Sequence, residues 1–126
     1  MGYAVLVVED EATLAKNVAL FLQRHGHEVK TVASAEDALQ ELELFKPNAV
    51  VLDFNLPGMN GLELLAKIRS ADPQTIVIMA TGHGSEQVAV DAMKAGAHDY
   101  LMKPVSLGKL KLILDKAIGE ERKDGE

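Results

Sequence analysis

Four short segments of the chain end in residues suited to chemistry. Val5–Val8 is followed by Glu9-Asp10-Glu11, Ala49–Leu52 by Asp53, Ile76–Ala80 by Thr81-Gly82, and Asp99–Met102 by Lys103-Pro104. In an open parallel sheet, ligands bind beyond the carboxyl ends of the strands, so the carboxylates of Glu9, Asp10 and Asp53, a hydroxyl and an ammonium would come to one edge. Glu9, Asp10 and Asp53 would repel one another there, and a divalent cation among them would relieve the repulsion. Ligands that are all oxygen select a hard ion. Mg²⁺ fits best, because it keeps several waters and accepts one or two carboxylates, leaving a position for a phosphoryl oxygen. Lys103 supplies the opposite charge. A metal, a Lys and a Thr hydroxyl together could hold the oxygens of a phosphoryl group attacked by a carboxylate, which makes Asp53 the candidate nucleophile. Taken singly, each of these residues is more often a solvated strand end, and Glu-Asp-Glu an ordinary helix start favoured by the dipole. The functional reading rests on four strand ends that carry complementary groups while the strands themselves are apolar.

The elements that must position these groups follow a βα rhythm. Runs at Val5–Val8, Val29–Val32, Ala49–Leu52 and Ile76–Ala80 alternate with segments whose apolar residues recur at helical spacing. The helical faces are Leu14, Val18 and Leu22; Ala38, Leu42 and Phe45; Leu62, Leu65 and Ile68; and Leu107, Leu110, Leu114 and Ala117. Ser34, Asn60 and Ser106 read as helix caps, Gly26 and Gly96 as left-handed closures, and Pro47 as a break after the second helix. A fifth strand at Asp99–Met102 has weak propensity and is expected because one is due between Gly96 and the Leu107 helix. Three strands apolar throughout imply a sheet covered on both faces, hence a three-layer α/β/α sandwich of five βα units. Residues 1–118 form the expected domain. The charged segment 119–126, without bulky apolar residues, is read as a polar tail or the start of a linker.

Composition narrows the function classes. With 126 residues, 48% hydrophobic and 25% charged, the chain can bury one core. It has 13 Lys+Arg against 19 Asp+Glu, three Phe, two Tyr and no Trp. Such a chain lacks the basic surface and the stacking rings of a nucleic-acid binder, so none is expected to bind this domain directly. No apolar run approaches a membrane span, no signal peptide opens the chain, and the absence of cysteine removes disulfides and thiolate chemistry. A cytoplasmic location is the default expectation.

From about Val5 to Ala117 the chain resembles the receiver domains of two-component response regulators. The matching pieces are Val7-Val8-Glu9-Asp10, the segment from Asp53-Phe54-Asn55-Leu56-Pro57 to Gly58-Met59-Asn60-Gly61, Thr81, and Lys103-Pro104. The resemblance implies a flavodoxin-like (βα)5 fold with strand order 2-1-3-4-5. It also implies that Asp53 accepts phosphate, Asp10 binds Mg²⁺ directly, Glu9 helps through water, and the Asn55 main-chain carbonyl is a further ligand. Thr81 would hydrogen-bond a phosphoryl oxygen, Lys103 would pair with the phosphate, Lys103–Pro104 would be cis, and Tyr100 would be the switch aromatic. Glu-Asp in the first pair, where Asp-Asp is commoner, and Asn60, where Asp is frequent, depart from the family pattern without threatening the chemistry. Thr81-Gly82-His83-Gly84 and Ala92–Ala97 look most like receivers of sigma-54-dependent activators.

The implied function is a phosphorylation switch. A histidine kinase or phosphotransfer protein would donate to Asp53, and the fourth helix, fifth strand and fifth helix would change to control an output domain or a partner, or to form a phosphorylation-dependent homodimer. Candidate surface residues are Gln87, Met93, Lys94, His98, Tyr100 and Lys109, and Lys16, Asn17, Val18 and Leu20 are suspected of meeting the kinase. An Mg²⁺-dependent Asp-nucleophile phosphatase is the rival enzyme, but it wants a second carboxylate where Asn55 stands. A flavodoxin is excluded by acid in the first loop, and an unphosphorylated receiver-like scaffold would usually have lost Asp53, an acid or Lys103. His25 and His27 read as a solvated turn, His83 could tune access to the site or partner contact, and Met59 and Met93 read as packing residues.

Overall fold

A computed structural model describes residues 2–82 and 86–124, with side chains for 2–82 and 86–119. Ten elements alternate: β1 (Ala4–Val8), α1 (Ala12–Arg24), β2 (Glu28–Val32), α2 (Ala35–Leu44), β3 (Ala49–Asp53), α3 (Gly61–Ala71), β4 (Ile76–Thr81), α4 (Glu86–Lys94), β5 (Asp99–Met102) and α5 (Leu107–Asp124). All strand pairs are parallel, in the order β2-β1-β3-β4-β5. This is the doubly wound, flavodoxin-like (βα)5 arrangement, and its carboxyl strand ends share one edge.

The period-two alternation of strands divides the core into two halves. Leu6, Val8, Val50, Leu52, Val77 and Met79 face α2, α3 and α4, packing with Ala38, Leu64, Leu65, Ile68 and Ala92. Val5, Val7, Val51, Ile76, Ile78 and Leu101 face α1 and α5, packing with Val18, Leu22, Leu110 and Leu114. β1, β3 and β4 are therefore apolar on both faces because each face meets a helix layer. The weak fifth strand forms because its ladder with β4, Ile78 to Asp99 through Thr81 to Met102, supplies the pairing that its own propensity does not.

Local signals place the helix ends. Ser34 Oγ accepts from the Asp37 amide at 3.2 Å, Asn60 Oδ1 from the Glu63 amide at 2.9 Å, and Ser106 Oγ from the Lys109 amide at 3.3 Å. Gly26 and Gly96 close α1 and α4 with φ of +90° and +106°. α5 runs on through Asp124, past the apolar stripe that ends at Ile118.

For three side chains one sequence-based reading does not hold, although sequence also places Val18 on the apolar face of α1 and Met93 on the candidate surface. Val18 is 3% exposed and belongs to the core under α1, so it cannot meet a partner. Met93 is 44% exposed, lying on the outer side of α4 rather than in the packing. His27 is buried instead of solvated: its ring stacks on Tyr3, and Nδ1 accepts the Tyr3 amide at 3.2 Å. The H-x-H spacing hid this because the partner, Tyr3, lies 24 residues away.

Burial depresses the His27 pKa, with the Asp115 charge opposing and His25 and Lys111 reinforcing. The unfolded chain then takes up the proton first as pH falls below about 6.5. The His27 contribution to stability is complete above that value and is lost on acidification. Thermal unfolding at pH 7.5 and 5.5 should show a larger drop in Tm for the native chain than for His27→Phe, which keeps the stack but cannot titrate.

Candidate functional site

The site stands on the carboxyl edge where β1, β3, β4 and β5 end together. Each strand delivers one group because the ladders hold their last residues level: Asp53 pairs with Ala80 and Thr81 with Met102. Main-chain bonds lock the exits, from Glu9 N–H to Val32 O at 3.0 Å, Phe54 N–H to Ala80 O at 2.8 Å, and Lys103 N–H to Thr81 O at 2.8 Å. Gly61, the first residue of α3, lies so close beneath this edge that a Cβ there would come within 2.7 Å of Phe54 Cα. Its N–H donates to Phe54 O at 2.7 Å, which ties the start of α3 to the strand end that carries Asp53.

Glu9, Asp53 and Thr81 are buried, with Asp10 exposed beside them. One oxygen from each of Glu9, Asp10 and Asp53 lies within 4.8 Å of the others. Lys103 Nζ reaches Glu9 Oε1 at 2.9 Å and Asp53 Oδ1 at 3.2 Å. The Glu11 amide donates to Glu9 Oε2 at 3.1 Å and the Asn55 amide, more weakly, to Asp53 Oδ1 at 3.4 Å. The Lys103–Pro104 peptide bond is cis. Tyr100 is 38% exposed on β5. His83 and Gly84 lie outside the described residues.

The electrostatics explain why the ammonium is needed. Burial pushes the Glu9 carboxyl above its ordinary value, and the Asp53 charge adds to this, while bonds from Lys103 and the Glu11 amide pull it back. Burial alone would lower the Lys103 pKa, but its bonds to Glu9 and Asp53 outweigh that and hold it above the usual lysine value. Lys103 is therefore a fixed positive charge between two buried carboxylates. Among the described residues, the acidic trio is an all-oxygen donor set with a negative surplus, which suits a hard divalent cation of the Mg²⁺ type.

A match to the response regulator receiver domain covers residues 5–115. The chain belongs to this family. It is the receiver type found in two-component response regulators. The nitrogen assimilation regulatory protein NtrX of Azorhizobium caulinodans is 37% identical over 120 residues, 94% of this chain and 26% of NtrX. The response regulator protein FleR of Pseudomonas aeruginosa is 40% identical over 121 residues, 95% of this chain and 26% of FleR. The chain thus spans about a quarter of the length of these curated relatives. A receiver domain protein of Methanospirillum hungatei, described as CheY-like, superposes with a TM-score of 0.93 at 31% identity, covering 98% of this chain and 99% of that one.

Two features of the receiver's site were not apparent in sequence. Glu9 makes the shorter of the two ion pairs of Lys103, a contact across the sheet edge that no local pattern signals. Gly61 reads in sequence only as a residue after a cap, because a close approach to a segment several residues earlier leaves no local pattern.

Two variants probe this arrangement. Lys103→Met leaves Glu9 and Asp53 facing each other without a cation and should cost about 1–3 kcal/mol, less than a fully buried pair because one side opens to solvent. Gly61→Ala drives a methyl into backbone, and a loss of about 1–3 kcal/mol is expected from overpacking. Urea unfolding at neutral pH reads both, and wild-type midpoints would contradict the geometry.

Proposed function

We propose that this receiver is a phosphorylation switch in which Asp53 takes a phosphoryl group from a histidine kinase or phosphotransfer protein. The observation that carries the reading is the buried Asp53 carboxylate held between Lys103 at 3.2 Å and the acidic pair Glu9 and Asp10. A carboxylate oxygen of Asp53 forms the O–P bond as the N–P bond of the donor phosphohistidine breaks and the imidazole nitrogen keeps the bonding pair. Lys103 and Thr81 hold the phosphoryl oxygens, and Lys103 turns from Glu9 and Asp53 toward the new charge. Asp10, Asp53 and the Asn55 carbonyl, with Glu9 through water, would hold Mg²⁺, whose charge would neutralise what builds on the transferring oxygens. Water later attacks the phosphorus, and Asp53 leaves as the carboxylate, returning inorganic phosphate. No acid stands at Asn55, which argues against a phosphatase acting on external substrates.

The surroundings support a macromolecular donor. α1 stands between two clefts that open beside the site, one of about 440 Å³ lined by Lys16, Leu20 and Val29, the other of about 460 Å³ lined by Asn17, Lys103 and Pro104. Lys16, Asn17 and Leu20 are exposed on α1 and suit this docking role. The output surface is α4, β5 and α5, which carry Val90, Met93, Tyr100, Met102 and Leu112, most of the large exposed apolar residues among the described ones. Thr81 and Tyr100 lie on adjacent strands and on the same sheet face, so a shift of Thr81 toward a phosphoryl group frees space for Tyr100 to turn inward. That change would be read by an output domain, by a partner such as a transcription regulator, or by a second copy. The switching unit is residues 1–118, with 119–126 serving as a polar tail or the start of a linker. Among the described residues no helix is long and apolar enough to cross a membrane. We place the domain in the cytoplasm, where a kinase partner would present its phosphohistidine.

Intact-mass spectrometry after incubation with acetyl phosphate and Mg²⁺ tests the reading. One phosphoryl adduct is expected in the native chain, and none in Asp53→Asn or with EDTA. Failure to label under conditions that label an established receiver would leave the fold intact and end the switch mechanism. In the same buffer, Mg²⁺ at ten times its dissociation constant should stabilise the native chain by about 1.4 kcal/mol, and Asp10→Asn should abolish most of that gain.

A further inference from the structure

Arg69 lies near the end of α3, far along the chain from every residue of the phosphorylation site, yet it makes an extensive set of bonds. Its Nε donates to Gly96 O at 3.0 Å, and Nη1 donates to Pro73 O at 3.2 Å and Asp72 O at 3.4 Å. Nη2 meets His98 Nδ1 at 3.5 Å, and the same ring nitrogen lies 3.4 Å from the Val77 amide. The guanidinium thus joins the C-terminal end of α3 to the turn between α4 and β5. That turn is itself closed by Ala97 N–H to Ala92 O at 2.9 Å and anchored to β4 by His98 N–H to Val77 O at 2.8 Å. Glycine is required where Arg69 crosses the turn: Gly96 has φ +106°, and a Cβ on it would come within 2.9 Å of Arg69 Nε. A planar fork of five donors can serve several carbonyls on two segments at once, which an ammonium cannot.

We propose that Arg69 is a positioning residue that clamps the C-terminal end of α4 and the start of β5 to α3, making the α4–β5 turn the fixed pivot of the switching surface. The proposal rests on the switching role given to α4, β5 and α5 above. The start of α3 is tied to Phe54 beside Asp53, and its end is tied by Arg69 to the turn that precedes Tyr100. One helix therefore references both the phosphorylated strand end and the base of the output surface. With that base held, a change that begins at Thr81 turns α4 about its C-terminal end instead of sliding it along the sheet.

Arg69→Lys keeps the charge and removes the fork. The variant should take up phosphate on Asp53 as the native chain does. Hydrogen exchange at the Ala97 and His98 amides should be about tenfold faster or more, because charge-assisted bonds across the turn are lost. The phosphorylation-dependent exchange difference over residues 90–102 should also be diminished. In the unsubstituted protein, a hydrogen-bond scalar coupling between Arg69 Nε and the Gly96 carbonyl carbon is expected both before and after phosphorylation. Unchanged exchange in Arg69→Lys, or a coupling absent from either state, overturns the pivot. If the native chain shows no phosphorylation-dependent difference over 90–102 although Asp53 is labelled, the switching surface itself fails, which is a separate outcome.

Discussion

The Lys103 ammonium between Glu9 and Asp53 is the contact around which the carboxyl edge of the sheet is organised. Two buried carboxylates and an exposed third within one small volume cannot coexist without positive charge, and burial multiplies the repulsion that water would otherwise screen. The protein supplies that charge from β5, the strand with the least propensity of its own. The order β2-β1-β3-β4-β5 puts two strands between the β1 and β5 ends, so the ion pair spans the centre of the sheet edge and makes its register matter. Slipping β5 by one residue would send Lys103 to the other face and leave the acids unbalanced.

The same pairing has a consequence for chemistry. Lys103 raised above its ordinary pKa is charged throughout the physiological range, so it is ready for an anion without a titration step. Lys103 is shared by Glu9 and Asp53, and in the proposed cycle it must leave them for a phosphoryl group. Glu9, Asp10 and Asp53 would hold a cation there, whose charge would replace the one that Lys103 withdraws. The proposed metal and the proposed switch are therefore linked by charge balance rather than being separate attributes of the site.

Sequence revealed the architecture where one face or one local bond decides the outcome. Helical spacing found the buried faces of α1, α2, α3 and α5, and caps at Ser34, Asn60 and Ser106 arise from interactions within three residues. The convergence of Glu9, Asp53, Thr81 and Lys103 was legible for a different reason: strand ends in a doubly wound sheet face one edge whatever their separation in sequence. What stayed hidden depends on distant partners. Sequence places Val18 both on the apolar face of α1 and among the suspected kinase contacts, and the structure decides for the first, burying it in the cluster with Val5 and Val7. His27 needed Tyr3, Gly61 needed Phe54, and Arg69 needed Gly96, and none of these pairings leaves a periodic trace.

Coupling between the site and the surface must be limited by what the two states bind differently. In the proposed switch, covalent attachment of a phosphoryl group would change the partners of Lys103 and Thr81, which stand at the ends of β5 and β4. Tyr100 lies three residues before Lys103 on β5 and diagonally across the ladder from Thr81, so both altered groups act on its strand or on the strand beside it. A rigid sheet transmits such a change poorly by stretching, because interiors are close-packed and the ladders resist sliding. The proposed change would instead be taken up where packing is incomplete, at the half-exposed Tyr100 and along α4, whose buried residues are the small Ala89 and Ala92 while Val90 and Met93 face outward. A helix whose fully buried residues are two alanines would repack with little loss of contact, and about the proposed Arg69 pivot its remaining freedom would be a rotation. On that reading, a small movement at Thr81 would become a larger displacement of the apolar surface that a partner would read.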